Sequence, residues 1–153
     1  MARMGNVNFS QLEQFMKKAE AELSDDQLQL FIEACAKELA TRLLAKVIKR
    51  TPVGQYPHRV GGTLRRGWTA EQQQDVASYV ASLNVTKSGD AYEIEIVNPV
   101  EYASYVEFGH RTRNHKGWVE GKFMLTISAN EVQQAAPSIL EKKLQRKLGE
   151  AFK

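Results

Sequence analysis

The chain has 153 residues, of which 42% are hydrophobic and 25% are charged, and its formal net charge is +3. This length is typical of one domain with its own hydrophobic core, so we expect residues 1–153 to form a single domain. The one cysteine, Cys35, excludes an internal disulfide. No segment has the roughly 18 consecutive apolar residues of a membrane span, and the first residues lack the apolar core of a signal peptide. These features exclude a disulfide-rich secreted scaffold and a membrane protein, and they favour a reducing, intracellular compartment.

Two helices are predicted in the first third of the chain. Hydrophobic residues at three- and four-residue steps predict an N-terminal helical arm over about residues 8–23. Ser24 followed by Gln27 fits a capping box, and an apolar stripe over residues 28–47 predicts a long helix behind it. Cys35 lies in this stripe with no basic partner beside it, so we interpret it as a core residue rather than a nucleophile.

An irregular loop is predicted after the long helix. Thr51-Pro52 ends the helix, because proline disfavours helical structure in the residue before it. Residues 51–63 contain two prolines and three glycines, and this density over such a length predicts a loop that is mobile or functional. Residues 64–70 are compatible with a further strand.

Two alternating runs then predict an antiparallel hairpin. Apolar residues alternate with polar or small ones over residues 79–85 and again over residues 92–96. A segment that contains Gly89 separates the two runs, as a hairpin turn would. The alternation predicts that one face of this hairpin is solvent-exposed.

An aromatic cluster at helical spacing follows. Tyr102, Tyr105 and Phe108 predict a short helix that ends at Gly109. Because dense aromatic residues at helical spacing usually pack inward, we expect these three side chains in the core. Glu107 is interpreted as a polar residue at the edge of this helix.

The last part of the chain predicts a loop and then helical structure. Residues 109–120 have no periodicity and predict a mobile loop, in which Trp118 either anchors an interface or folds back on its own domain. Helical patterns lie on both sides of Pro137, which starts a second helix or kinks one. The element order predicts an α+β fold: a small antiparallel β-sheet flanked by a long N-terminal helix and C-terminal helices, with long protruding loops.

The small net charge hides two basic segments that contain no acidic residue, 54–68 and 109–118. Their cationic side chains are Arg59, Arg65, Arg66, Arg111, Arg113 and Lys116. Such segments are either solvated loops or arms that contact an acidic neighbour or a phosphate backbone.

Nothing in the sequence marks a catalytic or metal site. There is no Gly-rich phosphate loop and no cysteine pair for zinc. The three histidines lie in predicted loops without a second ligand at regular spacing. Glu101 and Glu107 flank the aromatic cluster, but the sequence does not show the cleft that a carboxylate pair needs. We therefore predict that the protein is not an enzyme and needs no cofactor.

Three ordered blocks resemble a known family. Residues 51–54 with 61–68 resemble a TPVdTGxLRxxW motif, residues 98–110 resemble N.v.YAxYVExGh, and residues 121–125 resemble GxFML. In this order they resemble the head–tail joining and tail-completion (neck) proteins of long-tailed bacteriophages, a gene-product-ten-like tail component of lambdoid phages. Residues 55–60 depart from the pattern, because the family usually has an acidic residue and Thr-Gly directly after TPV. The motif positions are Thr51, Pro52, Gly62, Leu64, Asn98, Tyr102, Ala103, Tyr105, Glu107, Gly109, Phe123 and Met124.

The resemblance implies a structural virion protein that forms a homo-oligomeric ring of about six or twelve copies at the head–tail interface. As a neck, tail-completion or tail-terminator protein it would contact the connector or head-closure protein and the tail terminator or tail tube. Double-stranded DNA would pass through the ring transiently, and no membrane would be involved. The particle would assemble in the bacterial cytoplasm, and the protein would remain in the virion.

The two basic loops are candidate arms that contact neighbouring subunits. The candidate interface residues are Arg59, Arg65, Arg66, Trp68, Arg111, Arg113, Lys116 and Trp118. The alternative is a small nucleic-acid-binding module that uses the same loops. We favour neighbouring subunits, because phosphate contacts supply strong non-specific affinity that a transit channel should avoid.

Overall fold

A long helix, α1 (Asp25–Arg50), forms one side of the molecule. The computed structural model describes residues 21, 23–55, 57–58, 61–70, 75–89 and 91–151, so most of the predicted N-terminal arm lies outside the described residues. The Ser24 hydroxyl accepts a hydrogen bond from the Gln27 N–H, and the Gln27 side chain accepts one from the Ser24 N–H, at 3.4 and 3.3 Å. This arrangement confirms the predicted capping box.

A second long helix, α5 (Met124–Ala151), packs along α1. Ion pairs join Glu38 to Lys143, and both Lys46 and Arg50 to Glu131, so the two helices run antiparallel. Pro137 lies inside α5, so of the two alternatives for this residue the structure excludes the start of a second helix. Apolar side chains before and after the proline both pack on α1, and this packing holds the two halves of α5 against the same helix. These side chains are Val132, Ala136, Leu140 and Leu144.

Two core clusters hold the fold together. The first lies between α1 and α5 and contains Phe31, Leu39 and Cys35. Burial raises the pKa of the Cys35 thiol to about 12, which supports its interpretation as a core residue. The second cluster surrounds the C-terminal half of α1, where Leu44 and Val47 are fully buried.

Two short helices, α2 (Thr63–Gly67) and α3 (Val76–Ala81), pack into the second cluster. The predicted strand over residues 64–70 was therefore wrong. Leu64 and Trp68 are four residues apart and both buried, a helical spacing that the strand interpretation missed. Gly62 precedes α2 with a φ of 96°, a conformation that disfavours residues with a Cβ.

The hairpin predicted over residues 79–96 is half right. Its first part is helix α3 instead. Asp75 caps the start of this helix, because its side chain accepts a hydrogen bond from the Ser78 N–H at 2.8 Å. Strands β1 (Val85–Ser88) and β2 (Ala91–Ile94) then form the antiparallel pair, with Val85 opposite Ile94. Gly89 lies in the turn with a φ of 61°.

The third part of the chain is α4 (Ala103–Phe108), followed by β3 (Gly109–Arg111) and β4 (Trp118–Glu120). The short helix and its end at Gly109, with a φ of 87°, are confirmed. The loop predicted over residues 109–120 was wrong, because β3 and β4 pair antiparallel with His110 opposite Val119. The α+β class is confirmed, with the strands in two separate two-stranded sheets. In the described ranges no helix combines the length and the apolar character needed to cross a membrane.

Candidate subunit interface

Thr51, the first motif residue, is the buried junction of three elements. Its hydroxyl donates to the Val47 carbonyl at 2.7 Å and accepts from the Trp68 indole N–H at 2.8 Å. Its carbonyl accepts two hydrogen bonds from the Arg65 guanidinium, at 2.7 and 3.2 Å. The same hydroxyl is 3.4 Å from the Met124 sulfur at the start of α5. Thr51 therefore ties the end of α1 to α2 and α5.

Asn98 makes a second buried junction. Its amide donates to the Leu64 carbonyl at 2.8 Å, and its side-chain oxygen accepts from the Val100 N–H at 3.1 Å. A Cβ on Gly67 would lie 2.3 Å from that oxygen, so α2 approaches Asn98 this closely only because residue 67 is glycine. Asn98 thus fixes the chain that leads from β2 to α4.

Glu107 is fully buried and caps α5 from another element. Its carboxylate accepts hydrogen bonds from the Leu125 and Thr126 N–H groups, at 2.9 and 2.8 Å, and from the Thr126 hydroxyl at 2.6 Å. These amides belong to the first turn of the helix, which has no intrahelical acceptors for them, and a negative charge there is favourable. The prediction that Glu107 is an edge residue was wrong. Its partners are 18 and 19 residues away in sequence, so no local pattern points to them.

Phe123 completes this connection between α4 and α5. Its N–H donates to the Glu107 carbonyl at 3.0 Å, and its carbonyl accepts the first helical hydrogen bond from Ile127 at 2.9 Å. Phe123 has a φ of 46°, a strained conformation for a residue with a Cβ. The large side chains of Phe123 and Ile127 are exposed as well, which their hydrophobic character did not predict.

The aromatic residues of α4 face outward. Tyr102, Tyr105 and Phe108 are 45%, 60% and 46% exposed, whereas Ala103 and Glu107 form the buried face of the helix. The prediction that these three aromatic residues lie in the core was wrong. The physical reason is the buried Glu107 cap, which turns the opposite face of this short helix to the solvent.

The β3–β4 hairpin, which follows α4 directly, exposes two further large side chains. Trp118 is 56% exposed, and Val119 is exposed as well. A Cβ on Gly109 would lie 3.0 Å from the indole ring of Trp118, so the edge of this ring packs on the glycine. The His110 ring, opposite Val119 in the ladder, lies 5.8 Å from the Tyr105 ring. We call the exposed apolar side chains of residues 102–108 and of this hairpin the aromatic surface; it comprises Tyr102, Tyr105, Phe108, Trp118 and Val119, of which Trp118 and Val119 lie on opposite faces of the hairpin.

The hairpin tip, residues 112–117, is held by its own hydrogen bonds. The Thr112 N–H donates to the Gly117 carbonyl, and the Thr112 hydroxyl accepts from the Gly117 N–H, both at 3.0 Å. Asn114 accepts from the Thr112 hydroxyl at 2.6 Å and from the Lys116 N–H at 3.0 Å. The tip therefore presents Arg113 and Lys116 from a defined scaffold.

The structure separates the predicted interface residues into two groups. Arg111, Arg113, Lys116 and Trp118 lie together on the β3–β4 hairpin and are exposed. The cations among them form no ion pair with any carboxylate of the described ranges.

The second group belongs to the other basic segment. Trp68 is fully buried in the second core cluster, so its prediction as an interface residue was wrong. Arg65 is half-buried and bound to the Thr51 carbonyl, and Arg66 donates to the Gly61 carbonyl at 3.0 Å. Arg59 lies outside the described residues. Among the described residues, the basic hairpin is therefore the part of the prediction whose cations are exposed and bound neither to a carboxylate nor to a backbone carbonyl.

Pro52 of the motif precedes the first basic segment and is exposed, and Gly62 lies within that segment. Every buried side-chain nitrogen or oxygen of the described residues has a hydrogen-bond partner. No group of three or more His, Cys, Asp and Glu side chains in the described part could hold a metal ion. The buried motif residues thus build the fold, whereas Tyr102 and Tyr105 of the motif belong to the exposed aromatic surface. This surface and the basic hairpin are the candidate functional site.

A comparison with family models places the chain. The model described as "Bacteriophage HK97-gp10, putative tail-component" matches residues 13–109. The matched range includes the Thr51 and Asn98 junctions and α4, and it ends at Gly109. No curated protein and no solved structure matches the chain. Since the family model covers more than half of the sequence, the chain belongs to the HK97-gp10-like family of bacteriophage tail components.

Proposed function

We propose that this protein is a structural, non-enzymatic part of the virion that forms a homo-oligomeric ring at the head–tail interface. In this role it is a neck, tail-completion or tail-terminator protein. Its neighbours are the connector or head-closure protein on one side and the tail terminator or tail tube on the other. Family membership supports the tail-component part of the proposal.

The outward aromatic stripe of α4 is the observation that carries the ring proposal. Two aromatic side chains of the six-residue helix, Tyr105 and Phe108, and the ring of its N-cap residue Tyr102 are about half exposed or more, and the hairpin that follows exposes Trp118 and Val119. Aromatic and arginine side chains are enriched at protein interfaces, where they supply most of the binding free energy. A soluble monomer gains nothing from this arrangement, whereas a subunit that docks on its neighbours buries it.

The rigidity of the supporting scaffold also fits a ring subunit. The backbone of residues 122–123 is hydrogen-bonded to α4, and the Glu107 carboxylate is bonded to α5. These bonds fix the position of α4 relative to the start of α5. A preorganised surface loses less conformational entropy on assembly than a flexible one.

Native mass spectrometry and negative-stain electron microscopy test the proposal. The protein is measured alone, with purified tail tubes, and with purified connectors of the same phage. We expect a closed ring in solution or one ring at each tube end. A strict monomer that binds neither tubes nor connectors would contradict the proposal.

Nucleic-acid binding is the second candidate function, and the free cations of Arg111, Arg113 and Lys116 favour it. Counterion release makes such binding fall steeply with salt. A titration of double-stranded DNA at several salt concentrations measures this dependence, with Lys142→Glu as a control charge change elsewhere on the surface. If no binding is measurable at low salt, this candidate is removed.

A further inference from the structure

The β1–β2 hairpin has an acidic outer face. Glu93 and Glu95 are exposed, whereas Ile94 and Ile96, which alternate with them, pack on the second core cluster. Thr86 lies opposite Glu93 in the ladder and is exposed on the same face. We call the face that carries Glu93 and Glu95 the acidic sheet face.

No cation within this sheet compensates the two carboxylates. Lys87 is opposite Tyr92, and its ammonium lies 5.6 Å from the centroid of that ring, on the face turned away from Glu93. Among the described residues, neither Glu93 nor Glu95 forms an ion pair. Within the described part of one copy, the acidic sheet face is therefore unpaired.

The basic hairpin, with Arg111, Arg113 and Lys116, has the opposite charge, and its cations form no ion pair with the carboxylates that the structure describes. It is joined to α4 and to the start of α5, whereas the acidic sheet face belongs to a sheet that packs against α1. The acidic residue Glu120 lies opposite Gly109 at the base of the hairpin, away from the tip. One chain thus carries two complementary charged surfaces on different elements.

We propose that the basic hairpin of one copy docks on the acidic sheet face of the next copy in the ring. This inference rests on the proposed ring function and assigns its subunit contact. Two different surfaces of the same chain make a heterologous, head-to-tail contact, and such a contact generates a ring when the rotation closes.

Each surface has a distinct part in this contact. Opposite charges steer the encounter and set the register of the two subunits. The acidic sheet face carries small side chains beside its carboxylates, Thr86, Ser88 and Ala91, which allow close approach. Trp118, opposite Arg111 across the β3–β4 ladder, supplies the large apolar area that is buried.

Charge reversal on each surface, followed by mixing, tests the contact. Variant A carries Arg111→Glu and Arg113→Glu, and variant B carries Glu93→Lys and Glu95→Lys. The control carries Lys142→Glu and Arg146→Glu on the exposed side of α5, the same charge change as variant A. Assembly is measured by native mass spectrometry under the condition, alone or on tail tubes, in which the unaltered protein forms rings. Circular dichroism melting checks that all variants fold.

Each variant alone should lose at least about tenfold in assembly, because like charges then face each other, while the control should assemble normally. An equimolar mixture of A and B should form rings in which the two variants alternate, since each restores the opposite charge for its neighbour. If A and B assemble alone as well as the unaltered protein, or if folded A and B fail to assemble when mixed, the contact is wrong while the ring function stands. If the unaltered protein forms rings under neither condition, the proposed function fails and this inference with it.

Discussion

Helices α1 and α4 use apolar residues in opposite ways. Helix α1 buries Phe31, Leu39 and Leu44 and turns its charges outward, as an amphipathic helix of a monomer does. Helix α4 buries Ala103 and Glu107 and turns three aromatic residues outward. This difference shows that the spacing of apolar residues identifies a helix but does not determine what covers its apolar face.

Substitution of the two tryptophans should give the largest contrast between the inward and the outward region. Trp68→Ala removes a fully buried ring and the hydrogen bond to Thr51, and we expect a loss of about 3–5 kcal/mol in the free energy of unfolding. Trp118→Ala removes an exposed ring and should change the free energy of unfolding by about 0.5 kcal/mol or less. Urea denaturation measures both. Equal losses would mean that the hairpin belongs to the core.

Glu107→Gln should give the next largest effect. Glutamine keeps the size of the side chain but replaces the charged acceptor of Leu125 and Thr126 with a neutral amide. Hydrogen bonds to charged groups contribute about 1.5–3 kcal/mol, so we expect a loss of about 2 kcal/mol in the free energy of unfolding.

The exposed Glu101 in the turn before α4 supplies the matched control. Glu101→Gln should leave the unfolding midpoint unchanged, because this carboxylate is outside the cap. A Glu107→Gln variant as stable as the unaltered protein would show that the buried cap is dispensable for the orientation of α4.

Glu131→Gln should have a smaller effect, confined to the α1–α5 pair. Hydrogen bonds from Arg50 and then Lys46 lower the pKa of Glu131 from 4.5 to about 2. The stabilisation is therefore complete above pH 4.5 and is lost as the pH falls through about 2. Thermal melting should show a small decrease for the variant at neutral pH, and the two melting curves should converge near pH 2. A difference that grows on acidification would contradict this assignment.

Tyr105→Ser should have the smallest effect on folding and a clear effect on assembly. Its ring is exposed, so we expect the free energy of unfolding to change by about 0.5 kcal/mol. Native mass spectrometry should show weaker ring formation, because an exposed aromatic contact is lost. Leu30→Ser, which alters an exposed side chain on α1, is the control. If both variants assemble alike, the aromatic surface of α4 is not the contact.

Local patterns predicted the elements whose signals lie within a few residues. The Ser24–Gln27 capping box, the stop at Thr51 and the end of α4 at Gly109 each depend on near neighbours in the chain, and each is confirmed. The strand over residues 64–70 and the first half of the hairpin over 79–96 were wrong because two-residue alternation and helical spacing both place residues four apart on one face, so the two patterns overlap in short segments.

The candidate site was predictable in part. The sequence singled out the basic residues of the β3–β4 hairpin and Trp118, because charge runs and an isolated tryptophan are visible without a fold. The burial of Trp68 and the binding of Arg65 to the Thr51 carbonyl were not visible, because their partners are 17 and 14 residues away.

By itself the sequence determined the α+β class, the long helix α1 and the phage tail-component family, since these depend on periodicity, caps and motif order. Only the tertiary structure decided which way α4 faces. The sequence of α4 allows either of its faces to pack inward. Which face is buried depends on whether Glu107 or the tyrosines contact α5. The α5 amide groups that bind Glu107 exist only once the two helices are in contact, so the burial of a carboxylate and the exposure of three aromatic rings are decided together.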